Sequence, residues 1–146
     1  MRYYLAMIFL IGLMACQQKQ DIATDQKAVE NTLQKFFEGI TNYDYELLRF
    51  QCTAHFVLIE HGLWWNMDSL INVMKPFEGK EKTTYTFEDM KTTIEGNTAW
   101  VTYKNHGMSV MGEQETKYDW SESAFFRKQN GVWKMTLLHS TQTGSR

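Results

Sequence analysis

Two dipeptides constrain this chain more than anything else in it, Gly96-Asn97 and Asn130-Gly131. Each lies between stretches rich in β-branched and aromatic residues, 83–94 and 98–106 around the first, 117–128 and 132–141 around the second. Such two-residue turns need positive φ, and their twist matches that of two antiparallel strands. Two hairpins are therefore expected, joined by a loop over residues 107–116. Ahead of them the pattern is helical. Val29, Leu33, Phe36, Phe37 and Ile40 recur at helical spacing behind a cap at Thr24 or Asp25, and Gly39 and Asn42 break the helix. Asp44 caps a second helix through Leu47, Leu48 and Phe50. Asn66 caps a third, carrying Leu70, Ile71, Val73 and Met74, that must stop near Pro76, the only proline. A strand over residues 56–60 lies between these two helices. Helices first and antiparallel strands after make an α+β domain with the helices on one face of the sheet.

A two-residue turn also fixes cross-strand partners. An unbroken ladder around Asn130-Gly131 places Phe126 opposite Met135, Ala124 opposite Leu137 and Glu122 opposite His139 on one face. The other face pairs Phe125 with Thr136, Ser123 with Leu138 and Arg127 with Lys134, a mixed surface with enough apolar area to meet another subunit. Around Gly96-Asn97 the same rule pairs Ile94 with Ala99, Met90 with Tyr103 and Asp89 with Lys104.

The N-terminus gives an address. Arg2 supplies a positive start, residues 3–14 are an apolar run too short for a span of about 20 residues, and Ala15-Cys16 closes it. The segment resembles the lipobox of bacterial lipoprotein signals, which implies cleavage before Cys16, acylation of that cysteine and anchorage in the cell envelope without a spanning helix. On that reading residues 1–15 are a signal peptide, 16–23 a lipidated tether and 24–143 the domain. One domain is all that this length allows. The remaining cysteine, Cys52, sits among Phe50, Phe56 and Val57 and reads as a buried thiol. With 15 basic and 17 acidic residues there is no basic stripe, so nucleic acid is not an expected partner.

The stretches Ile94-Glu95-Gly96-Asn97-Thr98-Ala99-Trp100, Asn130-Gly131-Val132-Trp133-Lys134-Met135 and Leu138-His139-Ser140 resemble the hairpins of the nuclear transport factor 2-like (NTF2-like) superfamily. The match is nearest its SnoaL-like and DUF4440 domains. The resemblance covers residues 26–141 and implies a cone: three N-terminal helices packed in the concave face of a curled antiparallel sheet, a pocket at the wide end, and homodimers through the outer sheet face. Members include isomerases, dehydratases, cyclases and binding domains, so the fold does not decide the function. The aspartate base and facing acid pair of the isomerase site have no secure match in this sequence.

Glu122 beside His139 is the sharpest catalytic candidate, because a carboxylate on one imidazole nitrogen raises the basicity of the other. The preferred reading is plainer: a polar pair closing the open end of the cone. Glu60, His61, Trp64 and Trp65 lie between the first strand and the third helix, where the indoles either form a ligand platform or divide between core and solvent. Tyr103, Trp120, Phe126 and Leu137 complete the expected pocket lining, together with Glu60 and Trp64. No metal-ligand spacing, phosphate loop or nucleophile elbow is present, and no cofactor is expected. Three readings follow. The favoured one is a membrane-anchored domain binding a small apolar molecule or a partner segment without chemistry. The second is an isomerase- or dehydratase-type enzyme using Glu122 and His139, and the third a purely structural, dimerising lipoprotein.

Overall fold

Both expected hairpins form, and each strand is longer than its sequence pattern suggests. The computed structural model describes residues 2–145, with side chains from residue 21 onward. Three helices, α1 (Arg2–Asn42), α2 (Tyr45–Gln51) and α3 (Met67–Met74), accompany six strands: β1 (Cys52–Glu60), β2 (Leu63–Trp65), β3 (Glu81–Glu95), β4 (Thr98–Met111), β5 (Gln114–Gln129) and β6 (Val132–Ser145). The strands form one sheet in the order β2-β1-β6-β5-β4-β3. The sheet is mixed, because β1 runs parallel to β6 while every other pair is antiparallel. Residues 107–116, expected as a loop, continue β4 and β5 in register to Met111 opposite Gln114.

Helix α1 does not begin at Thr24 or Asp25 but runs from Arg2. Nothing in residues 17–23 breaks a helix: there is no glycine or proline, and glutamine, lysine and alanine are good formers. Freed from capping, Asp25 accepts from Lys128 Nζ at 2.6 Å and Trp133 Nε1 at 2.9 Å, tying α1 to the β5–β6 hairpin. Among the described residues no helix is long and apolar enough to cross a membrane. Cys16 and the signal segment before it lie outside the residues whose side chains are described.

The face of α1 read from its periodicity is the one that packs on the sheet. Val29, Leu33 and Phe36 are fully buried with Leu48, Val101, Ala124 and Met135. Each large apolar side chain so enclosed contributes about 1.5–3 kcal/mol. Leu48 of α2 fits against Gly39, where an added Cβ would come within 2.9 Å of it. Asp44 and Asn66 cap α2 and α3 as their sequences suggest, accepting from Leu47 N and Ser69 N.

The edge strand β3 is covered by α1. Gln26, Thr41 and Tyr43 donate side-chain hydrogen bonds to the β3 carbonyls of Thr92, Thr83 and Glu81. These contacts satisfy carbonyls on the unpaired edge of the strand and deny that stretch to another chain.

Candidate functional site

The two hairpins part company with simple counting at bulges. On β5 and β6, Phe126 pairs with Met135 as expected, but the next pair is Phe125 with Leu137, so Thr136 is an extra residue. From there on the ladder is shifted by one. Glu122 therefore pairs with Ser140, and His139 pairs with Ser123 on the outer face, exposed. The expected Glu122–His139 couple does not form. Leu137 turns outward with Phe125 and leaves the expected pocket, while Leu138 takes its place in the core at 3% exposure. A second bulge, around Asp89 at φ 53°, shifts β3 against β4 so that Lys104 pairs with Glu88. The Asp89–Lys104 ion pair still closes at 2.6 Å, and Met90 and Tyr103 are not a ladder pair.

The same shift builds a different site around Glu122. Across the concave face the ladder sets Glu60 beside Ser140, Ser140 beside Glu122, and Glu122 beside Tyr103. Glu122 is only 7% exposed. Its two oxygens accept from Ser140 Oγ at 2.8 Å and Asn105 Nδ2 at 3.1 Å. The Tyr103 hydroxyl makes no well-formed hydrogen bond, yet it lies near enough to the carboxylate to favour its ionised form. Burial outweighs these donors and, with the charge of Glu60, raises the Glu122 pKa above the ordinary value. Burial likewise raises Glu60, with exposed His61 opposing it. Neither acid meets a lysine or arginine in an ion pair among the described residues.

Aromatic rings enclose this end of the cone. Trp120 stacks on Tyr118 at 5.4 Å and meets Tyr85 at 6.3 Å, and Phe37 packs between Tyr85 and Phe87 at 4.8 and 5.1 Å. Gly107 makes room for the indole, since a Cβ there would stand 2.7 Å from the ring. Burial first, then the charges of Glu122, Glu60 and Glu81, pushes the Tyr85 hydroxyl pKa up, which places three acids about one phenol. Three buried polar atoms here have no partner: Tyr103 Oη, Asn105 Oδ1 and Trp120 Nε1. A cavity of about 620 Å³ opens beside Glu81, bounded by Thr41, Tyr43, Gly79, Met108 and Val110, though Glu122 is not among its lining residues.

Of the residues singled out in the sequence, Glu60, Tyr103, Trp120, Phe126 and Glu122 share the concave face, Phe126 deep in the core at 2% exposure. Trp64 does not join them. It pairs with Ile59 on the outer side of an unexpected β1–β2 hairpin, turned by His61-Gly62, and is 74% exposed. Trp65 faces the core instead, so the two indoles form no common platform. Asn105, Ser140, Glu81 and Tyr85 escaped notice. Asn105 carried a signal, a polar residue in step with inward Val101 and Tyr103; Ser140 carried none, because only the bulge turns it inward. Among the described residues no group of three or more His, Cys, Asp and Glu is arranged to hold a metal.

Comparison with known proteins agrees with this architecture. The family described as a SnoaL-like domain matches residues 29–143. No curated protein sequence matches the chain. Among solved structures, a proposed scytalone dehydratase from Novosphingobium aromaticivorans superposes with a TM-score of 0.76 at 10% identity, covering 85% of this chain and 87% of that one. A proposed dehydratase of the NTF2-like family from Streptomyces avermitilis gives 0.72 at 18%, covering 84% and 98%. A ketosteroid isomerase-like protein from Erwinia carotovora atroseptica gives 0.65 at 15%, covering 82% and 97%. At these identities the likeness establishes the NTF2-like fold and leaves the chemistry to the residues themselves. The chain belongs to the SnoaL-like domain family.

Proposed function

We propose that this protein is a lipid-anchored, extracytoplasmic binding domain that takes a small, largely apolar molecule at the Glu122 end of its cone. The observation that carries the reading is the set of unpartnered buried atoms, Tyr103 Oη, Asn105 Oδ1 and Trp120 Nε1, gathered at one aromatic-lined end. Buried polar groups are normally satisfied, and each one left alone costs about 1–3 kcal/mol. A ligand offering a hydrogen-bonding end would recover that cost, and its apolar body would meet Tyr85, Trp120 and Phe87. The cell-envelope address rests on the resemblance of residues 1–16 to lipoprotein signals, and a homodimer through the outer sheet face belongs to the same proposal.

A second reading gives Glu122 and Glu60 a proton-transfer role. The raised proton affinity of both acids favours it, as does the fact that two fold relatives are described as proposed dehydratases.

One experiment addresses both readings. Small aromatic and alicyclic compounds are added to the ¹⁵N-labelled protein and each is recovered afterwards. Binding at the site moves the Trp120 indole N–H and the Asn105 side-chain amide. Shifts confined to outer-face residues such as Trp100 would refute the site. A compound recovered chemically altered supports proton transfer, and recovery intact supports binding alone.

A further inference from the structure

The concave end of the cone collects negative charge that the described residues do not neutralise. Glu60 and Glu122 flank Ser140 across β1, β6 and β5, and Glu81 enters from β3, where Ser109 Oγ donates to it. All three act on the Tyr85 hydroxyl. Among the described residues no ion pair reaches Glu81 or Glu122, and Glu60 has only exposed His61, at 3.9 Å. The nearest lysines of the adjoining cavity, Lys80 and Lys82, are exposed, and Lys80 Nζ is spent on the Pro76 carbonyl at 2.9 Å.

Acids alone would say little. The second observation is the orientation of the buried groups that lack partners. Asn105 is 1% exposed, gives its Nδ2 to Glu122 and leaves its Oδ1 as a free acceptor. Tyr103, 4% exposed, has its hydroxyl close to the same carboxylate without a well-formed hydrogen bond to it. Free acceptors beside a carboxylate call for a donor with several N–H bonds. Around them stand the faces of Tyr85, Trp120 and Tyr118, and aromatic faces attract cations. The indole N–H of Trp120 is left for an oxygen on the body of the same ligand.

From this juxtaposition we infer that the ligand is an organic cation: a protonated amine on an aromatic or apolar body, its ammonium held between Glu122, Asn105 Oδ1 and the rings of Tyr85 and Trp120. The inference deepens the binding reading above and rests on it. The ammonium supplies the counter-charge missing from the described residues, since Glu122 has hydrogen-bond donors but no cation beside it, and burying a charge without a counter-charge is costly. A carboxylate ligand would meet three acids of its own sign.

Three probes that share one ring separate the charge from the shape: 2-phenylethylammonium, 2-phenylethanol and phenylacetate, titrated calorimetrically into the full chain at pH 7.5. The ammonium should bind about tenfold or more tighter than the alcohol, and phenylacetate should not bind. Glu122→Gln should bring the ammonium down to the level of the alcohol. Equal binding of ammonium and alcohol, or preference for phenylacetate, overturns the inference while leaving a binding site in place. Failure of all three to bind, with no movement of the Trp120 indole resonance, overturns the inference and the binding reading together.

Discussion

Two partly or wholly buried acids show how opposite environments set opposite signs. In Asp25 burial works to raise the pKa, but hydrogen bonds from Lys128 and Trp133 and the charge of Lys128 outweigh it, so the net shift is downward. An acid with a depressed folded-state pKa contributes stability above its unfolded value, and loses it as pH falls through the folded one. Asp25 is therefore an asset at neutral pH. Glu122 is the reverse: burial dominates the hydrogen bonds from Ser140 and Asn105 and the nearness of the Tyr103 hydroxyl, and its pKa is raised. Its protonated form suits the fold, and ionisation as pH rises through the folded value removes stability. A fold that keeps such a group tolerates a local cost, and sites of function are where such costs are usually found.

At the scale of elements, one inserted residue does two jobs. Thr136 turns Ser140 inward to Glu122, and it turns Leu137 outward into a row with Val57, Phe125 and Trp100 across four strands. That row, with Phe125 46% exposed, is the apolar surface on which the proposed homodimer rests. Phe125→Lys places a charge at its centre, and the dimer should dissociate in sedimentation at micromolar concentration with the monomer still folded; a variant that stays dimeric would exclude this face. Much of the element order was legible. The turns Gly96-Asn97 and Asn130-Gly131, the caps Asp44 and Asn66, the inward face of α1 and the stop at Pro76 each follow from local chemistry. The bulges were not legible, because Thr136 and Asp89 are ordinary polar residues within β6 and β3 whose insertion is decided by packing on both faces. The His61-Gly62 turn was missed because a histidine at φ 50° leaves no compositional mark. Since the site depends on register, one unseen residue was enough to misplace His139 and Leu137 while leaving Glu122, Tyr103 and Trp120 where the alternation put them.

For the whole molecule, α1 sets direction. Its Asp25 end is fastened to the hairpin tips, where Lys128 N also bonds Asn97 O, and its Thr41–Tyr43 end reaches the β3 carbonyls near Glu81. Sixteen residues at 1.5 Å each separate these ends by roughly 24 Å. A chain anchored through Cys16 would thus hold its acidic, aromatic-lined end away from the bilayer. Cys16→Ser should move the protein from the membrane to the soluble fraction of its native cells, and persistence in the membrane would refute lipid anchorage. The claim beneath all of this is that Glu122 is a carboxyl kept in the fold without a neutralising partner. Its most direct test is urea unfolding of the wild type and Glu122→Gln from about pH 4 to pH 8, without ligand. The two should be nearly equally stable at the acid end, with the variant ahead by about 1–2 kcal/mol at the alkaline end. A wild type as stable as the variant, or more so, across the whole range would contradict it.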